Sequence, residues 1–374
     1  MSEKIRVLQV NIENEGGNGA FSLVRYLYYF LKEDFIFDFF TMSKFMDDAV
    51  YRDIVNDGGK CFSANLRSNK LLGHIKLPFV FYKYLKKNKY KIVHIHSEVA
   101  YKHFLYAIAA RCAKVDKIII HSHSSNIDGN NKGVKLVCHK ILKSWVNRLG
   151  TYFLACSIPA AEWMFDDKVR SSNRFKLLHN GIDPRKYKFS EEKRIVARNK
   201  LGVENKIVIG HVGALKWVKN QQYLLEILSN IHDETFVLIL IGDGEDKEKL
   251  VKDSIRLGVE KQVLFLGSRT DVAELLHAID VFVFPSFFEG IPMAMIEAQT
   301  VGIPIVASDV INRDIMVNEN ISFISINDDS SVWIREIQKI KSMHLKEKGY
   351  ASIYNSKYNI KNSAKILRAV YLDV

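Results

Sequence analysis

Short apolar runs alternate with longer stretches of helical period along the 374-residue chain. In the first half the runs are Ile5–Val10, Phe35–Met42, Ile92–His96, Lys117–Ser122, Tyr152–Cys156 and Phe175–His179. In the second they are Lys206–Val212, Phe236–Ile241, Gln262–Leu266, Val281–Pro285, Pro304–Ala307 and Ser322–Ile324. Val, Ile and Phe dominate and consecutive positions are apolar, the pattern of parallel strands covered on both faces. Strands alternating with helices predict βαβ units and doubly wound sheets. About twelve strands are too many for one ordinary open sheet. The expected fold is therefore α/β, with two Rossmann-like domains, each a doubly wound parallel sheet, facing a cleft.

Turn signals place the boundary at Asn180-Gly181-Ile182-Asp183-Pro184, ahead of the polar stretch Arg185–Arg198. Residues 1–184 are expected to form the first domain and 185–355 the second. The tail from Lys341 reads as helix interrupted near Tyr358-Asn359-Ile360, and residues 356–374 are expected to return to the first domain as a C-terminal helix.

Ligands of such sheets bind beyond the carboxyl ends of the strands. The most informative run there is Pro285-Ser286-Phe287-Phe288-Glu289-Gly290-Ile291-Pro292-Met293-Ala294-Met295-Ile296-Glu297-Ala298. A strand ends at Pro285, a turn carries Glu289 and Gly290, and Pro292 fits the first turn of a helix. The N–H groups of Gly290, Ile291, Met293 and Ala294 would form an anion site suited to phosphate. Glu289 lies beside that site and Glu297 about one and a half turns in. Carboxylates repel phosphate unless they bind sugar hydroxyls instead, so the pattern points to a nucleotide-sugar.

The run from Val281 to Asp309 resembles the signature of glycosyltransferase family 4, retaining enzymes of GT-B fold, and within it the branch that assembles bacterial capsular and exopolysaccharides. Other segments are similar to family motifs in the same order. They are Glu15-Gly16-Gly17, His121-Ser122-His123-Ser124-Ser125-Asn126, Asn180-Gly181-Ile182-Asp183, Gly213–Asn220, Gly242-Asp243-Gly244 and Phe265-Leu266-Gly267. The resemblance implies transfer of a hexosyl or N-acetylhexosaminyl unit from a UDP-sugar, with retention, to a saccharide that is lipid-linked. It implies catalytic roles for Glu289, His123 and Lys219. It implies donor contacts from Gly16, Gly17, Gly213, Lys216, Lys219, Gly242 and Arg269, and from Glu289, Gly290, Ile291, Pro292 and Glu297. Acceptor contacts fall to His121, His123 and Asn126. The family expects arginine where this chain has Ala214, which removes one cation from the diphosphate site; Lys216 is the candidate replacement.

The pairs His94/His96 and His121/His123 each lie on one face by the period of two. A metal site needs three or four ligands, and no acidic partner has matching spacing. No Asp-x-Asp sits at a strand end near the expected cleft, so no metal and no cofactor is expected. Lys219, Lys216 and the helix start at Gly290 would meet the phosphate charge.

Charge adds a second theme. The net charge is +12, and all of it lies in residues 1–180, with 28 basic against 16 acidic residues; the rest balance. Residues 71–91 interleave lysines with aromatics on a helix expected after Pro78, and Lys132–Arg148 reads as a second basic helix carrying Trp145. Such surfaces suit an anionic bilayer. No helix-turn-helix, RNA-binding aromatic motif or zinc module appears, so nucleic acid is not the expected partner.

Composition is that of a soluble globular protein, 48% apolar and 26% charged. The four cysteines (Cys61, Cys112, Cys138, Cys156) are scattered, as reduced thiols are. With no apolar leader after Met1-Ser2-Glu3-Lys4 and no spanning segment, a cytoplasmic protein on the inner membrane face is expected. Two other readings remain: a GT-B-fold UDP-sugar epimerase, and a non-catalytic nucleotide-sugar- or membrane-binding partner of another transferase.

Overall fold

Runs that are apolar at consecutive positions become strands because both faces of each sheet are covered by helices. The computed structural model describes residues 4–13, 19–45, 48–66, 70–124, 132–340 and 346–374. The described residues form thirteen strands in two sheets. The first sheet holds β1 (Ile5–Val10), β2 (Phe35–Thr41), β3 (Cys61–Ser63), β4 (Ile92–Ser97), β5 (Lys117–Ser122), β6 (Tyr152–Ala155) and β7 (Phe175–Leu177). The second holds β8 (Ile207–Val212), β9 (Phe236–Ile241), β10 (Val263–Gly267), β11 (Val281–Phe284), β12 (Ile305–Ser308) and β13 (Ile321–Ile324). Their orders are β3-β2-β1-β4-β5-β6-β7 and β10-β9-β8-β11-β12-β13. Every pairing is parallel. In each sheet the winding reverses beside the first strand, which is the doubly wound topology.

Among the described residues seven helices follow the strands of the first sheet: α1 (Gly19–Leu31), α2 (Ala49–Asn56), α3 (Lys70–Asn88), α4 (Ala100–Cys112), α5 (Lys132–Leu149), α6 (Ile158–Met164) and α7 (Asp167–Arg170). Those of the second are α8 (Glu191–Leu201), α9 (Gln221–Ile231), α10 (Lys247–Arg256), α11 (Val272–Leu275), α12 (Met293–Val301), α13 (Ser330–Ile340) and α14 (Lys346–Tyr354). The last helix is α15 (Ile360–Leu372). No helix among the described residues is long and apolar enough to cross a membrane.

The chain divides into one unit of Met1–Gly181 with Ile360–Val374 and another of Ile182–Asn359. The divisions fall a few residues from 184 and 355 for local reasons. Ile182 bridges to Asn359, its N–H donates to the Tyr358 carbonyl at 2.9 Å, and Tyr187 is buried in the second unit's core.

Within the first unit the period of two sorts each strand between two cores. From β2, Phe40 joins Leu77, Phe81 and Tyr106 of α3 and α4. Phe35, Phe37 and Phe39 go to the other face, with Leu27 of α1 and Leu367 and Tyr371 of α15. Lys117 fixes the end of α15: its Nζ donates to the Val370 and Tyr371 carbonyls at 2.8 Å each, satisfying groups that a helix C-terminus leaves open.

Two features depart from the sequence expectation. Strand β3 lies at the sheet edge, and its three residues are too few to show a hydrophobic period. Helix α3 does not begin after Pro78 but runs through it, Pro78 lying inside the helix. Proline there removes one backbone bond, and the burial of Leu77, Phe81 and Leu85 holds the helix together across it.

In the second unit Asp280, just before β11, is buried among cations. It accepts hydrogen bonds from Arg194, from Arg198 at 3.0 Å and from the Val208 N–H at 2.8 Å, tying α8 to β8 and β11. Removing one partner of a buried ion pair leaves uncompensated charge. Asp280→Ala is therefore expected to cost about 3–5 kcal/mol of unfolding free energy. A urea midpoint within error of the parent would contradict this account of the α8 anchor.

Candidate functional site

The second unit gathers its candidate residues on the loops that leave β8, β9 and β11. Backbone bonds hold these loops to one another. Gly213 N–H donates to Ile241 O at 3.0 Å, Leu215 N–H to Asp243 O at 3.0 Å, and Phe287 N–H to Val218 O at 2.9 Å. Asn220 Nδ2 donates to Pro285 O at 3.2 Å, and Gln221 Nε2 to Ala214 O at 2.9 Å.

Gly242 is required by this packing. Its φ is +144°, a conformation that L side chains rarely adopt, and a Cβ there would lie 1.9 Å from the Gly213 carbonyl oxygen. Gly290 differs: a Cβ there would meet no atom within 4 Å, so its surroundings are open.

Lys219 and Glu289 meet across this loop cluster. Lys219 Nζ lies 2.5 Å from Glu289 Oε1 and sits 5.1 Å from the centre of the Phe284 ring. Both side chains are largely buried, 20% and 11% exposed, which strengthens the pair relative to a surface contact. Beside them opens the N-terminus of α12. It starts at Met293 with Pro292 as its cap, one residue later than the pattern predicts. The N–H groups of Met293 and Ala294 have no acceptor within the helix. Glu297, on the second turn, accepts a hydrogen bond from the Tyr187 hydroxyl at 2.9 Å.

Other predicted contacts are placed differently. Lys216 and Ala214 are exposed, and Lys216 lines a cavity of about 340 Å³ with Trp217, Gln222, Glu226, Lys249 and Phe287. The rings of Trp217 and Phe287 stack there at 4.9 Å. Arg269 is held in a two-pronged pair by Asp271, at 2.7 and 2.6 Å, rather than left open for a ligand. That guanidinium holds the Asp271 carboxyl well below the usual carboxylate range. Gly16, Gly17 and Asn126 lie outside the described residues.

The first unit gathers its histidines at the carboxyl end of β4 and β5. His94, His96 and His121 are buried and His123 is partly buried. Burial, reinforced by neighbouring imidazoles, pushes His94, His96 and His121 well below the ordinary histidine value, and burial pushes His123 down to about 3. Ring nitrogens of His94, His96 and His121 lie within 4.8 Å of one another, a spacing that would suit a metal ion. Several of the nitrogens that face inward are already engaged. His94 Nε2 lies 3.2 Å from His121 Nδ1, and His96 Nδ1 lies 2.8 Å from His123 Nε2.

Two family profiles match the chain. "Glycosyltransferase Family 4" covers residues 45–186 and "Glycosyl transferases group 1" covers residues 206–342. The chain belongs to the glycosyltransferases. It is 28% identical over 355 residues to the putative glycosyltransferase EpsF of Bacillus subtilis (strain 168), covering 90% of this chain and 88% of that protein. It is also 28% identical over 319 residues to the Escherichia coli UDP-Gal:alpha-D-GlcNAc-diphosphoundecaprenol alpha-1,3-galactosyltransferase, covering 82% of each. Among solved structures, Anabaena HepE in complex with UDP-glucose matches 99% of this chain and 100% of its own at 18% identity and a TM-score of 0.76. The fold is GT-B.

Sequence reasoning missed part of this glycosyltransferase's polar interior. Gln9 and Tyr371 join the histidine cluster, and His103 is buried beside it with Nε2 3.2 Å from Ser97 O. The two His-x-His pairs on successive strands were a usable signal for the cluster. Nothing local marks Tyr371, which lies 277 positions from His94.

Burial holds His103 down at about 3 against the ordinary value of 6.5. The unfolded chain therefore takes up the proton first, and stability is full above about pH 6.5 and falls as the pH drops toward 3. Each histidine so shifted should cost the folded state about 2 kcal/mol between pH 7 and pH 5. Urea unfolding at the two pH values measures it, and equal stabilities would contradict the buried neutral assignment.

Proposed function

We propose that this glycosyltransferase moves a hexosyl or N-acetylhexosaminyl unit from a UDP-sugar to a lipid-linked saccharide, with retention, in capsule or exopolysaccharide synthesis. The observation that carries the reading is the Lys219–Glu289 pair beside the N-terminus of α12. The cation and the open backbone N–H groups suit the diphosphate of a nucleotide-sugar, and the carboxylate suits the hydroxyls of its sugar. Lys219, with the N–H groups of Gly290 and Ile291, takes the diphosphate. Glu289 then turns to the hydroxyls of the transferred sugar and Glu297 to the ribose, Pro292 setting the entry to the helix. Gly213 and Gly242 let backbone approach the donor, and Arg269 borders the base once its pair with Asp271 opens. His123 contacts the saccharide, supported by His121.

These charges stabilise a departing UDP without a metal ion, as preorganised cations and helix dipoles do elsewhere. The similarity to a transferase whose name specifies UDP-Gal and a diphosphoundecaprenol acceptor supports both substrate classes. So does the solved neighbour's UDP-glucose.

Membrane association is supported by α3 and α5. Neither helix carries an acidic residue. On α3, Leu72, Ile75, Phe79 and Tyr82 form an exposed stripe, and on α5 Val134, Val137, Ile141 and Trp145 form another. Phe79 is 71% exposed and Trp145 53%. Exposed apolar stripes on basic helices suit the headgroup region of an anionic leaflet.

The donor site is tested by thermal shift with UDP, GDP and ADP, each with EDTA and with Mg²⁺. At about 100 times its dissociation constant a ligand stabilises by about 2.7 kcal/mol. A UDP-selective rise in Tm that survives EDTA and is lost in Lys219→Ala is expected; no rise with any nucleotide contradicts the reading. Membrane binding is tested by cosedimentation with vesicles of phosphatidylglycerol or phosphatidylcholine. Binding to the anionic vesicles alone is expected, weakened in Phe79→Ser with Trp145→Ser. Equal sedimentation of parent and variant would count against α3 and α5.

A further inference from the structure

Six side chains of the first unit form one continuous chain of hydrogen bonds. Strand register sets it up: Gln9 of β1 pairs with His94 of β4, and His96 of β4 with His121 of β5. Paired residues share a face of the sheet, so Gln9, His94, His96 and His121 line one side, and Tyr371 of α15 meets them there.

A neutral imidazole has one donor and one acceptor, so each proton fixes the next. The shifts described above keep these rings neutral at ordinary pH. Gln9 Nε2 donates to the Tyr371 hydroxyl at 3.0 Å. Having accepted from Gln9, that hydroxyl directs its own proton to His94 Nδ1 at 2.8 Å. His94 therefore carries its proton on Nε2 and donates to His121 Nδ1 at 3.2 Å. The proton of His121 is then on Nε2, a buried atom with no partner.

The second branch starts at the other end of the same amide. Gln9 Oε1 accepts from His96 Nε2 at 2.8 Å. His96 Nδ1 is then an acceptor and receives the His123 Nε2 proton at 2.8 Å. His123 Nδ1 is left with a bare lone pair, also buried and unpartnered. The rings of His121 and His123 lie 4.0 Å apart, centre to centre.

We infer that the Gln9 amide polarises this network, fixing His121 as a hydrogen-bond donor and His123 as an acceptor, so that their two open atoms take a hydroxyl group of the saccharide substrate. This rests on the reading of both histidines as saccharide contacts. A hydroxyl both accepts and donates, and it satisfies both ends. A phosphate oxygen without a proton meets the lone pair of His123 with its own, and is refused. Gln9, Tyr371, His94 and His96 touch no substrate in this scheme; they are positioning residues.

Imidazole nitrogen NMR of the full chain, labelled with ¹⁵N-histidine, reads the protons directly. The expected spectrum has His94, His96, His121 and His123 all protonated on Nε2. Protons on Nδ1, or a mixture, in the parent protein would overturn the polarity. In Tyr371→Phe, His94 and His121 are expected to lose their single form while His96 and His123 keep theirs. Gln9→Leu should release both branches. A Tyr371→Phe spectrum in which both branches change, or neither, would also overturn the network, and the parent spectrum decides even if a variant fails to fold. Addition of UDP-glucose, UDP-galactose and UDP-N-acetylglucosamine in turn, and then of a lipid-linked saccharide extract, separates the two layers. Shifts at His121 Nε2 and His123 Nδ1 with any of them support the hydroxyl site. An intact proton pattern with no shift from any would leave the network standing and refute the saccharide contact.

Discussion

Every strand in both sheets runs parallel to its neighbours, β4, β5, β9, β11 and β12 are buried on both faces along their whole length, and the placement of chemistry follows from that constraint. Polar side chains within such strands must find partners inside the protein, because water reaches neither face. At the strand ends the backbone is still rigid, and the loops are free to carry charge. Lys219 and Glu289 follow β8 and β11, the two strands that flank the reversal of winding in the second sheet. The histidines sit at the ends of β4 and β5, beside the corresponding reversal in the first.

The two sites answer the constraint differently. In the second unit a cation and a carboxylate neutralise each other at 2.5 Å, next to backbone N–H groups that a helix start leaves open. On the proposed reading this pair is a resting state: a diphosphate takes over the lysine, and the carboxylate is released to sugar hydroxyls. In the first unit no charge is used. Burial keeps the imidazoles neutral, and hydrogen-bond direction takes the place of charge.

Much of this was legible in the sequence, for identifiable reasons. Parallel strands announce themselves as runs such as Phe236–Ile241, and the turn from Glu289 to Pro292 is marked by residue types with backbone consequences. Cys61–Ser63 stayed hidden because three edge residues show no period, and Pro78 misled because a locally disfavoured residue is tolerated where Leu77, Phe81 and Leu85 are buried around it. The pairing of Arg269 with Asp271 was readable only as two nearby opposite charges. Gln9 and Tyr371 could not be found by any local rule. Their meeting depends on α15 belonging to the first unit, with Lys117 holding its last turn.

On the proposed reading the start of α12, with Lys219 and Glu289, receives the diphosphate and sugar of the donor. A crystal structure with a bound UDP-sugar tests it most directly. Diphosphate oxygens are expected about 3 Å from Lys219 Nζ and from the N–H groups of Gly290 and Ile291, with Glu289 turned from Lys219 to the sugar hydroxyls. A UDP-sugar bound elsewhere on the second unit, with the Lys219–Glu289 pair intact, would contradict it.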